Sequence, residues 1–338
     1  MSRAPLAVVG AGGWGTALAI HLGRLGRTVR LWARDPMLAR DIATTGENAR
    51  YLPGIAIPEQ VEATSSADRA LEAAATVLVA VPSHLLEDVV APMAQLVPPQ
   101  AVVVSATKGL EPRRRQRISE LLGALLPGRV VAVLSGPSFA REVAAGLPAA
   151  LVVASADAVV ARRLQHELAA PAFRLYTNRD VLGVELAGAL KNVMAIATGL
   201  CDGIGLGENA RAALITRGLA EMTRLGVALG AQPATFSGLA GLGDLVLTCT
   251  GSLSRNRALG REVARGRSLA DVEAATRTVA EGVRTTATAL SLAREVAVPM
   301  PICEEVGQVL FQARPVAEAL GALLGRDPRA EEEVNVRA

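Results

Sequence analysis

The sequence predicts an α/β fold in two parts: an N-terminal doubly wound sheet with helices on both faces over residues 1–179, then an all-helical region over 180–338. Three observations carry this. Short Val/Ile/Leu/Ala runs alternate with amphipathic stretches through the first half, the pattern of βαβ units in a parallel sheet. The strand signal stops after 173–177, and long helical patterns follow. At 338 residues the chain also exceeds the size at which one core stops growing. In order, strands are predicted over 6–9, 29–32, 77–81, 102–106, 130–134, 151–154 and 173–177. Helices are predicted between them over 16–25, 67–74, 85–96, 116–126 and 157–168. Pro98-Pro99 and Pro127-Gly128 close two of these helices. The second part reads as helices over 181–200, 208–229, 257–265, 287–296 and 315–324, with a charged tail over 326–338 that is expected to fray.

Composition excludes several function classes. Half the residues are apolar, but the excess is mostly Ala and aromatics are few, which suits closely packed helices. The longest apolar stretch, 181–200, carries Glu185 and Lys191, so no membrane span is expected. The apolar run after Met1 is interrupted by glycines too early for a secretory signal, and a cytoplasmic protein is expected. Cys201, Cys249 and Cys303 are odd in number and far apart, so buried reduced thiols are expected, and neither a disulfide framework nor a metal site. The net charge of +3 is spread along the chain, and the basic run 113–117 after Glu111-Pro112 reads as a solvated helix start. With no aromatics interleaved, nucleic acid is not an expected partner. The apolar faces of the helical region make a homodimer the expected assembly.

Lysine usage is more informative. Of 35 basic residues only Lys108 and Lys191 are lysine. Lys differs from Arg chiefly in being able to give up its proton when desolvated, so both are candidates for proton chemistry.

Gly10, Gly12 and Gly15 form a GxGxxG pattern. The strand 6–9 before it, the helix after it and a second strand ending near Arg34 make a Rossmann-type dinucleotide-binding unit over 6–34. Gly10 serves the tight turn, Gly12 the approach of backbone to the pyrophosphate, and Gly15 close helix-to-strand packing; the helix N-terminus offers N–H groups to the phosphates. After the second strand the chain reads Trp32-Ala33-Arg34-Asp35. Arg34 stands where a 2′-phosphate is met and Asp35 reads as a turn residue before Pro36, which favours NADPH while leaving NADH open.

The chain has three histidines. His21 and His166 fall within helices away from the strand ends, and His84 reads either as a turn residue or as part of the cofactor site. The general base is therefore sought elsewhere. Lys108 follows the strand 102–106 at the carboxyl edge of the sheet, where open α/β folds bind ligands, and Gly136-Pro137-Ser138 follows the next strand. Lys191 lies inside the most apolar helix, where burial and a second cation lower a lysine's pKa toward a working range.

The motifs 10–15 with Trp14, 106–110, 135–139, Lys191-Asn192, 241–245 and Ser254-Arg255-Asn256 together resemble the bacterial-type NAD(P)-dependent sn-glycerol-3-phosphate dehydrogenases, in order from about residue 6 to 325. The resemblance implies that Lys191 exchanges the proton with the substrate, dihydroxyacetone phosphate or sn-glycerol 3-phosphate, and that Lys108 touches both substrate and cofactor. It implies substrate contacts from Gly136, Ser138, Asp244, Ser254, Arg255 and Asn256. It implies that Gly13, Trp14, Arg34, Ala140, Arg255, Val279 and Glu281 line NADP or NAD. Position 13 departs from the pattern, being Gly where the family frequently has Ser, so only its backbone amide can serve. Read independently, Ser254 is a helix N-cap whose oxygen, with the following N–H groups and the Arg255 fork, suits a phosphate. Asp244 reads equally as a helix cap. The expected role is supply of sn-glycerol 3-phosphate to glycerophospholipid synthesis. The rivals are another β-hydroxyacid-type dehydrogenase of this layout and a non-catalytic NAD(P) sensor; the two retained lysines speak against the sensor.

Overall fold

Seven strands form where the sequence concentrates Val, Leu and Ala, and three short ones where it marks none. In the computed structural model, which describes residues 4–275 and 280–325, they are β1 (Leu6–Val9), β2 (Val29–Trp32), β3 (Val61–Thr64), β4 (Thr76–Val79), β5 (Val102–Ser105), β6 (Leu110–Glu111), β7 (Gln116–Arg117), β8 (Val130–Ser135), β9 (Ala149–Ala154) and β10 (Phe173–Asn178). The chain divides into two compact units, Met1–Thr107 with Ile118–Val181, and Lys108–Arg117 with Leu182–Ala338.

The first unit is an eight-stranded sheet in the order β10-β9-β8-β5-β4-β1-β2-β3. Side chains alternate between two cores: Leu6 and Val8 of β1 pack into one, Ala7 and Val9 into the other. The strand order reverses about β1, which pairs with both β2 and β4, so the carboxyl end of β1 opens on the crevice that doubly wound sheets use for ligands. The sheet is not wholly parallel, because β9 joins β8 antiparallel while β10 is parallel to β9. The link from β8 to β9 contains only the six-residue helix Ala140–Ala145. It advances about 9 Å, half the length of a six-residue strand, so the helix alone does not span the return that a parallel crossover makes.

Other local differences have similar causes. The stretch expected as one helix over 85–96 is a 3₁₀ turn Ser83–Leu85, a helix Leu86–Val90 and a 3₁₀ segment Ala91–Leu96, since Pro92 supplies no N–H to continue an α-helix. The basic run does not start a helix. Glu111, buried, accepts the backbone N–H groups of Arg113 and Arg114, and β6 and β7 close a hairpin with Arg115 at φ 56°. That hairpin belongs to the second unit, so this unit is not all-helical, and Leu110 packs within its core.

The second unit is built around the helix Val181–Gly203, hereafter the lysine helix, buried from Gly183 to Cys201. At 23 residues it is long and apolar enough to cross a membrane, and 89% of its most apolar window is buried inside the protein. Core position accounts for its composition. Around it stand the helices Gly207–Ala228, Asp244–Thr250, Arg255–Ala264, Glu281–Glu295, Pro301–Gln312 and Val316–Leu324. Glycines set one crossing: a Cβ on Gly199 would meet the Arg257 carbonyl oxygen at 2.2 Å, and one on Gly260 the Ile196 carbonyl oxygen at 2.3 Å. The three cysteines are free and buried.

Candidate active site

In the first unit the glycine turn has the form dinucleotide binding requires. Gly10 has φ 113°, and a Cβ there would meet the Ala80 carbonyl oxygen at 2.6 Å. A Cβ on Gly15 would lie 1.8 Å from the Gly10 carbonyl oxygen. Both glycines are demanded by the protein itself. Gly12 is not: a Cβ there meets nothing within 4 Å. The open space above Gly12, at the N-cap of the helix Gly13–Arg24 with no side-chain cap, is the room a pyrophosphate needs. These residues fit a dinucleotide.

Neighbouring groups hold the turn. Asn48, fully buried, donates to the Ala11 carbonyl (2.9 Å) and the Thr16 hydroxyl (2.8 Å). Trp14 is half-buried against the sheet core, and the Ala140 Cβ lies 3.9 Å from where a Cβ of Gly13 would be. Arg34 is exposed at the end of β2. Asp35 caps the helix Pro36–Thr45 by accepting from Met37 N–H (3.0 Å) and pairs with Arg50 at 3.0 Å. His84 lies in the turn Ser83–Leu85, His166 is exposed, and His21 is buried against Phe173 with Nε2 2.7 Å from the Leu168 carbonyl. Gly136 takes φ 129°, and the Ser138 hydroxyl donates back to its carbonyl at 2.8 Å.

In the second unit the two lysines of the chain converge on one carboxylate. Lys191 Nζ donates to Asp244 Oδ1 at 2.7 Å and Lys108 Nζ to Asp244 Oδ2 at 2.8 Å. Asp244 is 1% exposed and Lys191 5%. Lys191 also donates to the Thr248 hydroxyl at 2.8 Å, which itself donates to the Asp244 carbonyl. Burial lowers the Lys191 pKa to about 8; the Lys108 charge pushes the same way, and Asp244 opposes both. An ammonium has three N–H donors, and two of them are engaged here, so one can be directed at a substrate oxygen.

A chain of amides ties this centre to the neighbouring helices. Asn192 Nδ2 donates to the Lys108 carbonyl (3.0 Å), Asn256 Nδ2 to Asn192 Oδ1 (2.9 Å), and Gly282 N–H to Asn256 Oδ1 (3.0 Å). Ser254 caps the helix Arg255–Ala264 as expected, accepting from Arg257 N–H at 3.3 Å. Arg255 extends from its first turn, exposed, with Glu281 the acidic group that acts on its charge. Ser254, Arg255 and Asn256 thus stand together at one helix N-terminus.

The structure therefore brings Lys108, Lys191, Asp244, Ser254, Arg255, Asn256 and Glu281 together in one unit, and Gly10, Gly12, Gly13, Trp14, Gly15, Arg34, Gly136, Ser138 and Ala140 in the other. Val279 lies outside the described residues. Asp244 is the first residue of its helix, yet its carboxylate holds both lysines. Sequence reasoning missed Thr248 and the bridging role of Asn192. The spacing of four between Asp244 and Thr248, one helical turn, is the signal that reveals the former.

Comparison with known proteins agrees with both halves. Residues 5–161 match the family model for the NAD-dependent glycerol-3-phosphate dehydrogenase N-terminus, and 180–321 match that for the C-terminus. A glycerol-3-phosphate dehydrogenase [NAD(P)+] from Geobacter sp. (strain M21) is 50% identical over 329 residues, 96% of this chain and 98% of the relative. One from Thioalkalivibrio sulfidiphilus is 50% identical over 335 residues, 98% of this chain and 100% of the relative. The crystal structure of glycerol-3-phosphate dehydrogenase from Coxiella burnetii superposes with a TM-score of 0.93 at 40% identity, covering 96% of this chain and 100% of that one. A glycine turn with room for a pyrophosphate, a lysine pair on a buried carboxylate and matches over nearly the whole chain have one common meaning: this protein belongs to the NAD-dependent glycerol-3-phosphate dehydrogenase family.

Proposed function

We propose that Lys191 is the proton donor and acceptor in the reversible reduction of dihydroxyacetone phosphate to sn-glycerol 3-phosphate. NADPH or NADH, held by the glycine turn, would supply the hydride for reduction of the substrate carbonyl. Lys191 gives a proton to the C2 oxygen as the hydride arrives, and takes it back in oxidation. The observation that carries this is the placement of Lys191: buried, held by Asp244 and Thr248, with a pKa of about 8 and an N–H donor to spare. Asp244 orients both lysines and meets a substrate hydroxyl, while Lys108 adds positive charge where the carbonyl oxygen gains negative charge. Ser254, Arg255 and Asn256 take the phosphate through helix N–H groups and the guanidinium fork. Gly136 and Ser138 complete the substrate contacts.

Residues 1–179 act as the dinucleotide-binding domain and 180–338 as the substrate domain. Gly10, Gly12 and Gly15 shape the pyrophosphate turn, and Gly13, Trp14, Lys108, Ala140, Arg255, Val279 and Glu281 line the cofactor. Arg34 meets a 2′-phosphate, which favours NADPH. The protein works in the cytoplasm as a homodimer, supplying glycerophospholipid synthesis.

The test is NADPH oxidation by purified protein with dihydroxyacetone phosphate, beside the Lys191→Arg variant. Wild type is expected to turn over, and the variant to lose at least 10³-fold in rate, at the upper part of the range for a general acid, while keeping cofactor affinity. A fully active variant removes Lys191 from the reaction. Reduction of NADP+ with 3-hydroxyisobutyrate, together with no oxidation of NADPH by dihydroxyacetone phosphate, overturns the substrate assignment.

A further inference from the structure

Asp202 lies at the far end of the lysine helix from the reaction centre, three helical turns beyond Lys191, and the mechanism makes no use of it. Its side chain is nonetheless about 10% exposed and accepts from two guanidinium groups: Arg211 Nε at 2.9 Å and Arg257 Nε at 2.6 Å. Burying a carboxylate and two arginines this far is costly unless each charge is paired, and the pairing converges on one segment. Arg257 Nη1 donates to the Thr250 carbonyl at 2.8 Å, and its backbone N–H donates to Ser254 Oγ. One arginine, anchored by Asp202, thereby closes the loop 250–254 from both ends. That loop and the turn after it carry Ser254, Arg255 and Asn256.

The same two helices are pinned elsewhere. Asn192 and Asn256 are joined at 2.9 Å near the reaction centre. Between that pair and Asp202–Arg257, the Gly199 and Gly260 contacts bring the backbones together with no room for a side chain. The helix Arg255–Ala264 cannot slide along the lysine helix without breaking one of these three points.

We propose that Asp202 is a positioning residue: through Arg257 it fixes the 250–257 segment, and so sets the spacing between the Lys191 ammonium and the group that receives the substrate phosphate. This rests on the assignment of Ser254–Asn256 to phosphate. It makes Asp202 a determinant of selectivity for a three-carbon phosphate ester over an uncharged ketone of the same carbon skeleton.

The test compares dihydroxyacetone phosphate with dihydroxyacetone, which has the same carbonyl and no phosphate, at saturating NADPH. Asp202→Ala is expected to raise KM for the phosphorylated substrate at least tenfold, to change its kcat less than threefold, and to leave kcat/KM for dihydroxyacetone within twofold of wild type. Arg257→Lys keeps a cation for Asp202 but lacks the fork that reaches Thr250, and gives the same split. It decides the matter if Asp202→Ala does not fold. Asp202→Asn, which can still accept one N–H, falls between wild type and Asp202→Ala. A KM within twofold of wild type in folded variants overturns the proposal, and so does an equal loss on both substrates, which marks general destabilisation. Arg255→Ala is run alongside. If it raises KM for dihydroxyacetone phosphate and the Asp202 and Arg257 variants do not, only the positioning role fails; if none of them does, the phosphate assignment fails and the inference with it.

Discussion

Asp244 is the residue on which the proposed chemistry turns, because one buried carboxylate serves two ammonium groups. Its charge raises the pKa of Lys191, while burial and the second lysine lower it, and the balance falls at about 8. With Lys191 as the proposed proton donor and acceptor, reduction needs the protonated amine and oxidation the free amine. The kcat/KM for dihydroxyacetone phosphate is therefore expected to fall as pH rises through about 8, and that for sn-glycerol 3-phosphate oxidation to rise over the same interval. In Asp244→Asn the opposing anion is gone, so both limbs move to lower pH; profiles flat from pH 6.5 to 9.5 in wild type would contradict the assignment. At this scale the sequence was informative wherever a residue type was rare. Both lysines stood out against a background of arginine, and both sit on the Asp244 carboxylate. Thr248 and Asn192 did not, because hydroxyl and amide side chains occur throughout the chain and only the fold shows which ones meet a lysine.

Among elements, those with a strong local pattern were legible and those defined by partners were not. Strands β1 and β2 begin and end where the sequence places them. The edge strand β3, Val-Glu-Ala-Thr, has no apolar run because it is half-exposed. The helix Pro36–Thr45 was hidden because Asp35-Pro36 reads as a turn, whereas Asp35 is its N-cap and Pro36 its first residue. The helix Pro301–Gln312 was missed too, and its start depends on a carboxylate 80 residues earlier. Glu221 of the helix Gly207–Ala228 accepts Ile302 N–H at 3.0 Å and Cys303 N–H at 2.9 Å. Burial raises its pKa to about 7, although the two N–H groups favour the charged form. A carboxyl whose folded pKa exceeds its unfolded value holds more protons folded than unfolded between about 4.5 and 7, so stability falls as pH rises through that window. The full effect is about 3 kcal/mol. Urea unfolding at pH 5 and pH 8 should show this loss in wild type and not in Glu221→Gln; parallel behaviour of the two proteins would remove Glu221 as the cause.

For the whole molecule, the division into a sheet unit and a largely helical unit was legible from the end of the strand signal. The assignment of Lys108–Arg117 to the second unit was not, since only long-range packing of Leu110 with the helical core decides it. The reversal of β9 was equally silent, being a consequence of a short link. A ligand that binds only the native chain stabilises it by RT ln(1 + [L]/Kd), and so raises its unfolding temperature more the tighter it binds. NADPH and NADH are thus expected to stabilise the protein, NADPH more at equal concentration. Arg34→Ala should remove most of the extra increment from NADPH and leave that from NADH unchanged; an equal loss for both in a thermal-shift titration would take Arg34 away from the 2′-phosphate. The scarcity of lysine has one more consequence. Because both lysine side chains of the chain sit on Asp244, protein grown with nitrogen-15 lysine carries its only labelled ammonium groups on that one carboxylate. A nuclear resonance spectrum of unmutated protein then follows the protonation state of two identified nitrogens, with no other side chain in view.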